Sequence, residues 1–157
     1  MRACVLRGTI ILVLSAMAAA QTNEPSHGRS TSQDRFVGAW RLATLEEPDT
    51  SGNIHTADCT GLLVYTRDGH MSVQVMYRNP QAGGQSGPVQ YAQGGYEASF
   101  GTYEINDAHT FTFHVEGAMV RTLIGNNLLR AYKLSGNQLV VTSTDANEHW
   151  RVTWDRY

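Results

Sequence analysis

The chain is poor in cysteine, and this limits how it can be stabilised. Only Cys4 and Cys59 occur among its 157 residues. Cys4 lies in an N-terminal segment that we expect to be removed on export, so no intrachain disulfide can form in the mature protein. We expect Cys59 to be buried and inert. Stability must then come from a hydrophobic core, which a chain of this length can form without covalent cross-links.

Basic runs and familiar catalytic motifs are also absent. The formal net charge is −2 and no run of Lys or Arg occurs, which argues against a nucleic-acid partner. The sequence contains no Gly-x-Ser-x-Gly nucleophile motif and no glycine-rich loop that connects a strand to a helix. Its His, Cys, Asp and Glu residues show no recognisable metal-ligand spacing, so we expect neither a metal nor another cofactor.

Long apolar runs are missing except at the N-terminus. There Arg2 and Arg7 precede the apolar segment 9–14, which is followed by Ala18–Ala20. This segment is shorter than the roughly 20 residues that a membrane-spanning helix needs. It predicts a signal peptide, residues 1–20, that is cleaved after Ala20 and leaves a periplasmic or secreted protein. Since no second such run follows, we expect no stable membrane insertion.

The remaining sequence divides into a leader and one domain. Residues 21–34 are polar and show no periodicity, which predicts a flexible leader. Residues 35–157 have the length and composition of a single globular domain. Within the domain, segment 78–95 contains repeated glycine pairs and no regular pattern. It is expected to be either a lid over a binding site or a disordered excursion.

Strand patterns fill the domain. The clearest is Gly61–Tyr77, where a β-branched and aromatic run, an Asp-Gly turn and apolar residues at every second position predict a hairpin. The eight predicted strands are 36–47, 61–65, 71–77, 96–105, 110–116, 127–134, 138–144 and 148–156. Most are joined by short polar turns, and no helix of three or more turns fits between them, which favours antiparallel pairing. Because closure removes exposed sheet edges, we predict an all-β, eight-stranded antiparallel up-and-down barrel, with a β-sandwich as the main alternative.

One series of segments carries a family resemblance. The segments are Phe36–Leu42, Gly61–Gln74, Phe100–Glu104, His114–Gly117, Leu128–Gly136 and Trp154. In this order they resemble the bacterial and fungal lipocalin-like domain family over nearly all of residues 35–157. The resemblance implies a lipocalin-type barrel that holds a small, mostly apolar molecule, and it implies no catalytic residues. The wider lipocalin pattern also implies that Trp40 contacts an arginine near the closing strand, which would be Arg156 or Arg151.

Strand alternation indicates which side chains face the interior. In the last strand Trp150, Val152 and Trp154 share one side, which we expect to point inward. On an earlier strand Arg130 and Lys133 lie on opposite sides, so Arg130 points inward if Lys133 is solvated. A buried arginine is costly unless a carboxylate or another hydrogen-bonding group accompanies it.

Two interpretations remain open for the strand that contains His114 and Glu116. The first places its apolar side chains, such as Phe113, inside the barrel and its polar side chains in water. The second notes that the polar faces here lack Lys and Arg, and places them as a polar wall inside a ligand pocket, with Arg130 opposite Glu116. This wall would consist of Ser72, Gln74, Tyr103, His114 and Glu116.

The sequence therefore predicts a protein that binds a small apolar or amphipathic molecule in the barrel interior. The predicted ligand-binding residues are Tyr65, Ser72, Gln74, Tyr103, His114, Glu116, Arg130 and Trp154. The apolar wall of the cavity is predicted to consist of Tyr65, Val73, Phe113, Tyr132, Val141 and Trp154.

Two alternatives to a binding protein stay open. The first is a small enzyme of isomerase, cyclase or hydrolase type, in which His114 acts with Glu116 or Tyr103. This enzyme would lose its base if His114 faces solvent. The second is a barrel that is filled by its own side chains and serves as a protein-interaction surface.

Overall fold

A computed structural model describes residues 32–78 and 95–157. The predicted signal peptide, leader residues 21–31 and residues 79–94 of the predicted lid or disordered loop lie outside these ranges. The last three leader residues begin a short helix, α1, Ser32–Phe36. The strands of the described residues are β1 Gly38–Pro48, β2 Ile54–Thr56, β3 Cys59–Tyr65, β4 His70–Tyr77, β5 Tyr96–Ile105, β6 Thr110–Ala118, β7 Asn127–Ser135, β8 Gln138–Ser143 and β9 Arg151–Arg156. A 3₁₀ turn, Arg121–Leu123, lies between β6 and β7.

The strands form one closed antiparallel sheet. From β3 to β9 each strand pairs with the next in sequence, and β1 pairs with both β3 and β9. The pairing of β1 with β9 joins the first strand to the last, which closes an eight-stranded barrel. The predicted all-β up-and-down barrel is confirmed, and the sandwich alternative is wrong. The short strand β2 is additional, because it pairs only with Glu46–Pro48 at the end of β1.

The observed strands differ from the predicted ones mainly where the first and the last strand begin. The first strand was predicted to include Phe36, but Phe36 ends α1 and strand β1 starts at Gly38. Gly38 has a φ of +136°, which a residue with a side chain rarely adopts, and this permits the change of direction. The last strand starts at Arg151 because Glu148 still belongs to a turn, in which its N–H donates to the Asp145 carbonyl oxygen at 3.1 Å.

One end of the barrel is closed by α1 and a layer of aromatic rings. Phe36 is completely buried, and its ring lies 5.0 Å from that of Tyr65 and 4.8 Å from that of Tyr132, measured between centroids. Both pairs have the edge-to-face geometry that aromatic rings favour. The hydroxyl of Tyr103 donates to the Thr66 carbonyl oxygen at 3.1 Å. This end is therefore filled by packed side chains.

Arg156 in β9 seals the same end. Its guanidinium lies 4.2 Å from the Trp40 ring centroid and donates to the Val37 carbonyl oxygen at 2.7 Å and to that of Arg35. A Cβ atom on Gly38 would lie 2.8 Å from the Arg156 Nη1 atom, so the glycine leaves room for this contact. Of the two arginines that the lipocalin pattern allowed, the contact with Trp40 is confirmed for Arg156.

Candidate ligand-binding cavity

A partly open cavity of about 210 Å³ lies inside the barrel, between its aromatic layer and its opposite end. The cavity wall is mostly apolar because the inward positions of the strands hold Val, Leu, Met and aromatic side chains. Val73 and Val75 of β4, Phe113 of β6, and Trp150 and Trp154 at the end of the chain contribute to it. The inward orientation predicted for both tryptophans is confirmed.

Five of the six predicted apolar wall residues line this cavity. They are Tyr65, Val73, Phe113, Val141 and Trp154. The prediction is wrong for Tyr132, which belongs to the aromatic layer at the closed end. Its hydroxyl donates to the Asp107 carbonyl oxygen at 3.0 Å, which holds the ring away from the cavity.

Arg130 of β7 lines the cavity, as the alternation with Lys133 predicted. Its guanidinium lies over the Trp150 ring, 5.1 Å from the centroid, and 3.9 Å from a carboxylate oxygen of Glu148. Burial lowers the pKa of Arg130, and the negative charge of Glu148 opposes this shift. The prediction that Glu116 accompanies Arg130 is wrong, because Glu116 lies on the outer face of the barrel. Glu148 supplies the carboxylate instead.

Glu97 of β5 is one of three polar wall residues that the sequence prediction missed, the others being Ser99 and Glu148. Glu97 is 3% exposed, and its Oε2 atom has no hydrogen-bond partner among the described residues. Burial raises its pKa to about 7 from an ordinary value of 4.5. The signal that could have found it is alternation, because Glu97, Ser99 and Tyr103 share one face of β5, and Tyr103 was already placed inside.

Tyr65 lies at the boundary between the cavity and the aromatic layer. It lines the cavity, yet its ring centroid is only 4.8 Å from that of Tyr103. Its Oη atom is buried and, among the described residues, has no hydrogen-bond partner. Burial raises the pKa of Tyr65 well above its usual value, so the hydroxyl stays protonated at neutral pH and can donate a hydrogen bond.

Four predicted ligand-binding residues lie on the outer face of the barrel. They are Ser72, Gln74, His114 and Glu116, which alternate with inward-facing neighbours. On β6 the inward positions are taken by Phe111, Phe113 and Val115, because burying these large apolar side chains is more favourable than burying polar ones. The inward polar wall is therefore a wrong prediction for these four side chains, and the interpretation with an apolar interior is correct.

Two of these outer-face side chains, His114 and Gln74, are each hydrogen-bonded to a neighbouring polar side chain. His114 Nδ1 lies 2.7 Å from the Asn127 Oδ1 atom, and the Tyr96 hydroxyl donates to the Gln74 Oε1 atom at 3.0 Å. Tyr103 lies inside the barrel, but at its closed end and with its hydroxyl bonded to backbone. His114 and Tyr103 thus lie on opposite sides of the barrel wall and do not converge as an acid–base pair.

Cys59 lies half-buried at the start of β3 and forms no disulfide. Burial and the nearby negative charge of Glu47 raise the pKa of this thiol to about 11. The thiol is therefore protonated at neutral pH, which makes it a poor nucleophile, in line with the expected inert cysteine.

Within residues 32–78 and 95–157, no group of three or more His, Cys, Asp or Glu side chains is placed to hold a metal ion. No helix in these ranges is long and apolar enough to cross a bilayer.

Comparison with known proteins decides the family. A model of the lipocalin-like domain matches residues 37–157. The chain belongs to the lipocalin-like domain family. The match includes every strand of the barrel and every charged residue of the cavity wall.

Similar solved structures are distant from this lipocalin-like protein. A redesigned β-barrel is 11% identical with a TM-score of 0.44, and the match covers 80% of this chain and 94% of that one. An uncharacterised protein from Bacteroides eggerthii DSM 20697 is 12% identical with a TM-score of 0.47, covering 78% and 99%. A comparison with curated proteins finds no match.

Proposed function

We propose that this lipocalin-like protein is exported and binds a small apolar or amphipathic molecule inside its barrel. The observation that supports the proposal is the cavity of about 210 Å³ inside the barrel, with mostly apolar walls and a few polar groups. Ligand sites generally combine these two features. A barrel that served only as an interaction surface would have no need to leave such a space unfilled.

The cavity volume suggests the size of the ligand. Pockets for drug-sized molecules measure about 300–1,000 Å³, and this cavity is smaller. The ligand is therefore expected to be a compact molecule with one aromatic ring or a short alkyl chain. Its apolar part would contact Val73, Phe113 and Trp154, and its polar part would lie towards Arg130 and Glu97.

Titration with two compact probes, phenethyl alcohol and ethylbenzene, tests the proposal. Trp150 and Trp154 line the cavity, so binding is expected to change the tryptophan fluorescence, and calorimetry gives the affinity independently. Native mass spectrometry of the exported protein would show whether a compound is already bound, and the mass of the mature chain would show whether cleavage follows Ala20.

A matched pair of variants on β8 locates the binding. Val141→Phe adds a ring inside the cavity, whereas Val140→Phe adds the same ring on the outward-facing side of the strand. Binding should be weakened by at least about tenfold in Val141→Phe and be nearly unchanged in Val140→Phe. Equal affinities in both variants, or no binding of either probe to the unaltered protein, would contradict the proposal.

A further inference from the structure

The carboxyl group of Glu97 and the hydroxyl of Tyr65 are two cavity groups with a buried oxygen atom that has no partner among the described residues, and of the two only Glu97 can carry a negative charge at neutral pH. Glu97 is almost fully buried, it lines the cavity, and its Oε2 atom receives no hydrogen bond from the described residues. An unsatisfied buried carboxyl group costs stability, so such groups normally have a partner. A ligand that brings its own donor into the cavity would supply this partner.

The charge of the cavity wall indicates which kind of donor would fit best. Among the described residues that line the cavity, Glu97, Glu148 and Arg130 have charged side chains. Arg130 is already close to Glu148, at 3.9 Å, and lies over the Trp150 ring. One negative charge is therefore left without a counter-charge when Glu97 is ionised, and a ligand with a positive charge would balance it.

From this geometry we infer that the ligand is a small organic amine, with an ammonium group that donates to Glu97 and an apolar body in the cavity. The inference rests on the proposed binding function and adds the chemical class of the ligand. Ser99 lines the cavity two residues from Glu97 on the same face of β5, and its hydroxyl could accept a further ammonium hydrogen. The apolar side chains of the cavity wall, Val73 and Phe113 among them, would surround the apolar body.

Binding of an amine would also be linked to pH. Because burial holds the pKa of Glu97 near 7, an ammonium ligand should bind more weakly below that pH, where the carboxyl group is neutral. The other titratable cavity side chains are Tyr65, Arg130 and Glu148. Two further titratable side chains, Glu47 and Tyr77, do not line the cavity and are hydrogen-bonded to each other. The inward side chains of β6, next to β5, do not titrate.

Four compounds with the same ring but different polar groups test the inference. They are phenethylamine, phenethyl alcohol, phenylacetate and ethylbenzene, titrated at pH 8 with tryptophan fluorescence and calorimetry as readouts. Phenethylamine is expected to bind at least about tenfold more tightly than the alcohol, since a charge-assisted hydrogen bond is stronger than one between neutral groups. Phenylacetate should bind most weakly, because its charge repels Glu97.

Two variants of the same strand complete the test. Glu97→Gln should remove the preference for the amine, and ethylbenzene, which has no polar group to reach residue 97, should still bind within about threefold, which shows that the cavity is intact. Glu104→Gln is the control, because Glu104 is exposed on the outer face of β5 and should leave these affinities unchanged.

The outcomes separate this inference from the proposed function. If the alcohol binds as tightly as the amine, or if Glu97→Gln keeps the amine preference, the ligand class is wrong and the binding cavity still stands. If phenylacetate binds most tightly, the wall selects anions through Arg130 and the inference is overturned. If none of the four compounds binds, the binding function itself fails.

Discussion

The two ends of this barrel differ in whether their buried polar atoms have hydrogen-bond partners. At the closed end Phe36, Trp40 and Arg156 fill the space, and the polar atoms of Trp40 and Arg156 have backbone partners. In the cavity, Glu97 and Tyr65 each keep a buried oxygen atom without a partner among the described residues. The closed end therefore satisfies these buried polar groups, whereas the cavity leaves two buried oxygen atoms unsatisfied, which costs stability. Such costs are expected where a protein binds something.

The largest effect is expected from removing the central ring of the closed end. Phe36→Ala should lower the free energy of unfolding by about 4 kcal/mol, because Phe36 is fully buried among other rings and its loss leaves a cavity. Urea unfolding followed by tryptophan fluorescence measures this. The control is Phe100→Ala on the outer face, where the ring is 56% exposed and the loss should be at most about 1 kcal/mol. Similar losses in both variants would show that α1 does not close the barrel.

The second effect is pH-dependent and belongs to the cavity. Because the native state holds the Glu97 proton more tightly than the unfolded chain, its contribution to stability is present below pH 4.5 and is lost as the pH rises through about 7. Relative to Glu97→Gln, the unaltered protein should lose about 3 kcal/mol between pH 4 and pH 8. Urea unfolding across this range gives the difference.

Glu104→Gln again provides the control for that pH series, since its carboxylate is solvated. Its overall loss of stability between pH 4 and pH 8 should be close to that of the unaltered protein. If Glu97→Gln did the same, the Glu97 carboxyl group would be hydrated in solution, and the two ends of the barrel would not differ in this respect.

Arg156 offers a third and smaller test of the closed end. Arg156→Gln should cost about 2 kcal/mol, because it removes the contact with the Trp40 ring and the hydrogen bonds to two backbone carbonyl groups. Arg151→Gln on the same strand should cost less than about 0.5 kcal/mol, since Arg151 is exposed and lies 3.8 Å from Glu46. Thermal unfolding of the two variants measures both losses of stability. Equal losses would refute a special role for Arg156.

The smallest effect is expected on the outer face. His114→Ala should change the free energy of unfolding by less than about 0.5 kcal/mol and leave the binding of phenethyl alcohol unchanged, because the side chain is 38% exposed and does not line the cavity. Calorimetric titration of the variant measures the binding. A large loss of affinity would mean that this side chain reaches the cavity after all, and would reopen the acid–base alternative.

Period-two patterning and turn chemistry were enough to predict the barrel. Short polar turns leave no room for crossover helices, so neighbouring strands must pair antiparallel, and this holds whatever the details of packing. Alternation also placed Arg130, Trp150 and Trp154 correctly, because each shares a face with large apolar residues that have to be buried. Alternation along β5 from Tyr103 also places Glu97 on the inward face.

The amino-acid sequence by itself determined the strand order, the closure and the apolar lining, since these follow from local pattern and from the cost of exposed sheet edges. Only the tertiary structure decided that Glu148 rather than Glu116 accompanies Arg130, and that Phe36 leaves the first strand to fill the closed end. Contacts of this kind join residues that are far apart in sequence or lie just beyond a strand end. They depend on where three-dimensional packing leaves space, which a one-dimensional pattern does not record.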